Sequence, residues 1–92
     1  MSKNVAVVGT GYWGKNLVRN FHQLGALAAL CDSSPLAEAS MGEKYPSIPH
    51  FRDYADVLAN PAIDAVVLAT PAATHFAMAK CALEAGKDVF VE

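Results

Sequence analysis

The chain has 92 residues and a formal charge of −2 at pH 7 with neutral histidines, which leaves room for one small domain. Apolar side chains make up 53% of it and the mean hydropathy is +0.23. That is high for a free-standing domain of this size and points to apolar surface meant to lie against something else. The acidic balance, with a pI near 5.8, argues against a nucleic-acid partner, and no apolar run approaches the ~20 residues of a membrane helix.

Met1-Ser2-Lys3-Asn4 leads into an apolar run too short for the core of a secretory leader. A cytoplasmic protein without a membrane partner is therefore expected. Cys31 and Cys81 lie in apolar runs with no Cys-x-x-Cys or Cys/His spacing, so reduced, buried thiols are expected, not a disulfide or a metal site.

Val5-Ala6-Val7-Val8 is a continuous apolar run closed by Gly9, the pattern of a strand buried on both faces. A helix is predicted from about Tyr12 to Leu24, with Trp13, Leu17, Phe21 and Leu24 on one stripe and Gly25 as its left-handed stop. Ala26 to Cys31 is a second apolar run ending at Asp32. Ser34 then caps a helix that begins with Pro35 and runs through Lys44. Ile48 to Phe51, flanked by Pro46 and interrupted by Pro49, reads as a short edge strand.

Asp53 caps a short helix through Leu58. Ile63 to Ala69 is a third buried strand, ended by Thr70-Pro71. Thr74 is predicted to cap a helix from His75 to Ala85, Gly86 to stop it, and Asp88 to Glu92 to form a last strand. Alternating strands and helices with short connections imply right-handed βαβ units. The fold class expected is α/β, a Rossmann-type doubly wound parallel sheet of about five strands ordered 3-2-1-4-5. Because the pattern stops on a strand, residues 1–92 read as a fragment of a longer chain.

Gly9-Thr10-Gly11-Tyr12-Trp13-Gly14 is a G-x-G-x-x-G turn. The first glycine makes the tight exit from the strand, the second admits a pyrophosphate against bare backbone, and the third lets helix pack on strand. The phosphates would sit at the positive end of the helix. Asp32, at the end of the next strand, has the spacing and position of the acid that accepts ribose hydroxyls, although it would also serve as a turn cap. No Arg or Lys lies between Asp32 and Lys44 to neutralise a ribose 2′-phosphate, so NAD is expected over NADP.

Thr70 and Pro71 fall at the carboxyl edge of the sheet, where ligands of open α/β sheets bind, with His75 close behind. Trp13 and Phe21 read as helix-on-sheet core, and His22 and His50 receive no role. No nucleophile with its base, paired carboxylates or His-Glu-x-x-His appears, so the cofactor would carry the reactive chemistry.

Val5 through Gly14, Cys31-Asp32, Val66 through Pro71 with Thr74-His75, and Glu84 through Glu92 together resemble the Gfo/Idh/MocA oxidoreductase family over essentially the whole chain. The resemblance implies that Gly9, Thr10, Gly11, Tyr12, Trp13 and Gly14 hold the pyrophosphate and Asp32 the adenosine ribose. It implies that Thr70, Pro71 and His75 line the pocket towards the nicotinamide. Glu92 is similar to the first residue of the family's Glu-Lys-Pro motif, whose lysine assists proton transfer, so no catalytic residue is expected in this chain.

By the same resemblance a C-terminal substrate domain would follow, and the full-length parent would be a homo-oligomer oxidising a secondary alcohol of a sugar, sugar nucleotide or cyclitol. The turn Tyr12 to Asn16 is most similar to family members acting on nucleotide-linked sugars. The alternatives are a dinucleotide-binding or sensing module without turnover, and an S-adenosylmethionine methyltransferase, whose glycine spacing and strand edge fit less well.

Overall fold

A computed structural model of the chain describes residues 4–10 and 14–91. The elements follow in the order β1 (Val5–Val8), α1 (Gly14–Gln23), β2 (Leu27–Cys31), α2 (Pro35–Lys44), β3 (His50–Phe51), α3 (Tyr54–Ala59), β4 (Ala65–Leu68), α4 (Ala72–Glu84) and β5 (Asp88–Val91). The five strands form one sheet in the order β3-β2-β1-β4-β5. Every pairing is parallel, with β1 between β2 and β4. The strand order turns back on either side of β1, so β1 and β4 flank the switch point, as expected from the alternation of apolar runs.

Both faces of the sheet are covered over β1, β2 and β4, which is why those strands are apolar at consecutive positions. Val5 and Val7 point to one face, where Val18, Phe21 and Leu17 of α1 and Met41 of α2 pack on them together with Leu30 and Val67. Ala6 and Val8 point to the other, against Val57 of α3 and Ala82 of α4 with Ala29, Cys31, Val66 and Leu68. All four residues of β1 and all four of β4 are buried. No helix among the described residues is long and apolar enough to cross a membrane.

The ends of two helices and of one strand correct three expectations. The buried residues of α1 are Gly14 and Val18, with Leu17 and Phe21 packed beside them, while Leu24 is 73% exposed. The helix stops at Gln23, so its periodicity does not reach Leu24. There Gly25 N–H donates to the His22 carbonyl and Ala26 N–H to that of Phe21, the paired bonds of a Schellman stop.

Pro71, not Thr74, is the N-cap of α4. Thr74 lies one turn into the helix, and its N–H and hydroxyl both reach the Pro71 carbonyl (3.0 and 2.8 Å). Finally, β4 starts at Ala65. Ile63 is buried but lies in the turn before the strand, its N–H donating to the Asn60 carbonyl.

Candidate functional site

The site begins where β1 ends. Gly9 leaves the strand at φ 88°, a left-handed conformation that a side chain would strain. Its N–H donates to the Cys31 carbonyl at the end of β2. A Cβ on Gly9 would lie 3.0 Å from Thr70 Cγ2 and 3.1 Å from the Ala69 carbonyl carbon, so the turn is held between the ends of β2 and β4. Gly14, the first residue of α1, rests on Gly9. A Cβ there would collide with the Gly9 carbonyl oxygen and lie 2.8 Å from its carbon. Gly11, Tyr12 and Trp13, between them in the motif, lie outside the described residues, as does Glu92.

Asp32 is the polar centre of this edge. Its Oδ2 accepts from the Thr10 N–H (2.9 Å) and the Thr10 hydroxyl (3.1 Å), and its Oδ1 from the Ser34 N–H (2.9 Å). Thr10 is only 4% exposed, so both its donors are committed to tying the glycine turn to the end of β2. Partial burial pushes the Asp32 carboxyl up. The hydrogen bonds from Ser34 and Thr10, with the nearby His50, outweigh it and hold the group below the usual carboxylate range. Asp32 is therefore a fixed anion, and the turn-cap role and the acid at the strand end belong to one residue.

Asp32 and Ser33 open onto a cleft of about 410 Å³ along the carboxyl edge. Val8 and Gly9 line its centre, Ala69, Thr70 and Pro71 one side, and Cys31, Tyr54 and Met78 its apolar floor. Burial first, then the charges of Asp32, Asp53 and Asp56, pushes the Cys31 thiol up to about 11, so it is an inert wall. The Tyr54 hydroxyl donates to the Met78 carbonyl (2.8 Å). Burial, followed by Cys81 and Cys31, pushes it up to about 12. This bond joins α3 to α4 across the floor.

Thr70 and Pro71 line the cleft, whereas His75 braces it from behind. The His75 Nε2–H donates to the Thr70 carbonyl at 2.6 Å, and a carbonyl can only accept, which assigns the proton to Nε2. The Thr74 and Thr70 hydroxyls lie 3.0 Å apart. Among the described residues no group of three His, Cys, Asp or Glu could hold a metal ion.

Several cleft residues were missed in the sequence, Tyr54 and Met78 among them, and one of them is a cation. Arg52 lines the cleft because it follows Phe51, whose carbonyl accepts the Asp32 N–H (3.1 Å). Reading only the residues after Asp32 for a cation overlooks β3, the next strand of the parallel sheet, which ends at the same edge. His50, also given no role, is half-buried, and both its ring nitrogens are buried without a hydrogen bond. Its Nδ1 lies 3.8 Å from Glu38 Oε2.

A doubly wound parallel sheet with a glycine turn at its switch point and an acid pinned across the neighbouring strand defines a Rossmann nucleotide-binding domain. Residues 3–92 match the family described as oxidoreductase family, NAD-binding Rossmann fold, and the chain belongs to that family, Gfo/Idh/MocA.

A glycosyl hydrolase family 109 protein of Shewanella amazonensis is 37% identical over 96% of the chain. Inositol 2-dehydrogenase 1 of Saccharopolyspora erythraea is 35% identical over 100% of it. The chain spans only 22% and 28% of their respective lengths.

Among solved structures, scyllo-inositol dehydrogenase from Lactobacillus casei with bound NAD(H) and scyllo-inositol superposes with a TM-score of 0.88 at 28% identity. That match covers 99% of this chain and 28% of that one. The WlbA dehydrogenase of Bordetella pertussis in complex with NADH and UDP-GlcNAcA gives 0.87 at 31% identity, over 99% of this chain and 28% of the other.

Proposed function

We propose that the chain is the dinucleotide-binding domain of an NAD-dependent dehydrogenase whose full-length parent oxidises a secondary alcohol of a sugar, sugar nucleotide or cyclitol. The observation that carries the reading is the state of Asp32. An ionised carboxylate offers about four acceptor positions, and Thr10 and Ser34 occupy three of them. The remaining one, on Oδ1 at the cleft, suits a ribose hydroxyl. A dinucleotide fits the other described residues as well. Gly9 and Gly14 bring bare backbone to the start of α1, and the apolar floor of the cleft suits a base.

In this reading Gly9 through Gly14 hold the pyrophosphate at the N-terminus of α1, and Thr70 and Pro71, with His75 behind them, bound the nicotinamide side. The nicotinamide supplies the hydride chemistry when bound, and the protein orients it and excludes water. No cleft-lining residue among those described is a free general base, since Asp32 is committed to three donors. The family resemblance implies that proton transfer falls to a lysine following Glu92, and the 92-residue chain is expected to show no turnover by itself. A soluble, cytoplasmic homo-oligomer is the form inferred for the parent.

NAD is inferred over NADP on electrostatic grounds. A 2′-phosphate carries nearly two negative charges. At ~5 Å from Asp32 the repulsion is ~1.7 kcal/mol even at the dielectric of water, and ~1.4 kcal/mol is already tenfold in affinity. The Shewanella relative favours a second reading, in which the parent cleaves a glycosidic bond with the same bound dinucleotide. Assay of a full-length parent on free cyclitols and sugar nucleotides against aryl glycosides separates the two. The binding step is tested by fluorescence titration of this chain with NADH, for which saturable binding is expected.

A further inference from the structure

We infer that Glu38 sets cofactor specificity from outside the cleft, by holding Arg52 away from the place where a ribose 2′-phosphate would lie. The inference rests on the dinucleotide reading above and adds a residue to it. Arg52 is the one cationic side chain lining the cleft among the described residues. Its backbone is next to Phe51, whose carbonyl accepts the Asp32 N–H, and Ser33 lines the same end of the cleft. An arginine here is within reach of a phosphate on the ribose that Asp32 holds, and arginine is the side chain best suited to that anion.

The guanidinium is turned to α2 instead. Nε and Nη2 of Arg52 both lie 2.8 Å from Glu38 Oε1. Glu38 sits in the first turn of α2, where the helix dipole favours a carboxylate, and its N–H donates to the Ser34 carbonyl. The carboxylate is thus anchored on the element that begins at the Asp32 turn. Asp32, Glu38 and Arg52 together leave one net negative charge at the adenosine end. A 2′-phosphate would have to take Arg52 from Glu38 while facing both carboxylates.

An exposed charge pair is a weak constraint energetically, so the device biases specificity rather than fixing it. Arg52 is 68% exposed and Glu38 35%, and no core packing depends on their pairing. Glu38→Gln keeps the shape of the side chain and removes the charge that holds the guanidinium, leaving only a neutral amide oxygen as acceptor.

The test is a set of four proteins, the parent chain, Glu38→Gln, Arg52→Ala and the double variant, each titrated with NADH and NADPH. The ratio of the two dissociation constants should shift towards NADPH by about fivefold in Glu38→Gln, the upper range for an exposed charge pair. In the Arg52→Ala background the same substitution should leave the ratio within about twofold, because the coupling runs through Arg52.

A shift of the same size in both backgrounds would mean that Glu38 acts by its charge alone, and would overturn the inference. So would an unchanged ratio in Glu38→Gln while NADH still binds. If the parent bound neither nucleotide, the dinucleotide reading itself would fall, and this inference with it.

Discussion

Replacing Gly14 by alanine adds one methyl group, and that methyl points into the Gly9 carbonyl. Backbone must move to admit it, so Gly14→Ala should destabilise the chain by about 1–3 kcal/mol, the usual range for overpacking, read as a lower thermal midpoint by circular dichroism. A midpoint equal to the parent's would mean that α1 does not rest on Gly9. The carboxylate of Asp32 gives a pH signature. Its folded-state pKa lies below its ordinary value, so its stabilisation is fully present above about pH 4. As pH falls the unfolded chain takes up the proton first, and the contribution is lost down to the depressed native value. Asp32→Asn should therefore flatten the acid limb of a urea-stability profile, and an unchanged limb would show that the bonds from Thr10 and Ser34 add nothing. The thiols should separate as well. Cys31 has almost no thiolate at pH 8 because burial pushes it to about 11, whereas Cys81, against the expectation of two buried thiols, is exposed. Iodoacetamide should add one label per native chain, at Cys81, and a second only after unfolding. The glycine turn and Asp32 were readable from the sequence because each needs a particular residue type at a fixed spacing. The bond from Thr10 to Asp32 was not, since it joins residues 22 positions apart that only the parallel pairing of β1 and β2 brings together.

Elements that bury apolar side chains at regular spacing were legible, and their ends were less so. The continuous runs in β1, β2 and β4 announced strands covered on both faces, and Gly25 and Gly86 announced where α1 and α4 stop. Leu24 and Thr74 were misread because a side chain suited to a stripe or a cap says nothing about where backbone hydrogen bonding ends. Lys87 is the clearest case of tertiary structure overriding residue type. It is only 8% exposed, and its Nζ donates to the carbonyls of Asn60 (2.7 Å) and Ile63 (2.6 Å). Its own N–H closes α4 on the Ala82 carbonyl. One residue thus fastens the end of α4 to the turn between α3 and β4. Lys87→Met fills similar space but takes the ammonium from the Ile63 carbonyl and leaves the Asn60 carbonyl only the Ile63 N–H, at a cost of about 1–3 kcal/mol for an unsatisfied buried group. The urea midpoint should fall accordingly, and a midpoint equal to the parent's would show that water replaces the ammonium there.

At the scale of the whole molecule, the strand order and the position of the cleft followed from the alternation of elements and from the rule that ligands bind at the switch point of such sheets. The apolar surplus in the composition has a visible counterpart. Phe76 and Leu83 on α4 are 82% and 64% exposed, and Phe90 and Val91 on β5 are 53% and 52% exposed. Phe90 pairs with Val67 and shares its face of the sheet, which α1 and α2 cover only over the other strands. Sedimentation of the chain over a concentration series should therefore reveal self-association, and a monomer at every concentration would contradict that expectation. The central claim is that this sheet edge binds a dinucleotide through the Gly9–Gly14 turn and Asp32. It is tested most directly by titrating the chain with NADH, NADPH and S-adenosylmethionine in parallel. The account predicts saturable NADH binding, NADPH binding weaker by about tenfold or more from the charge on Asp32, and no binding of S-adenosylmethionine. Absence of saturable NADH binding, or binding of S-adenosylmethionine in its place, would contradict it.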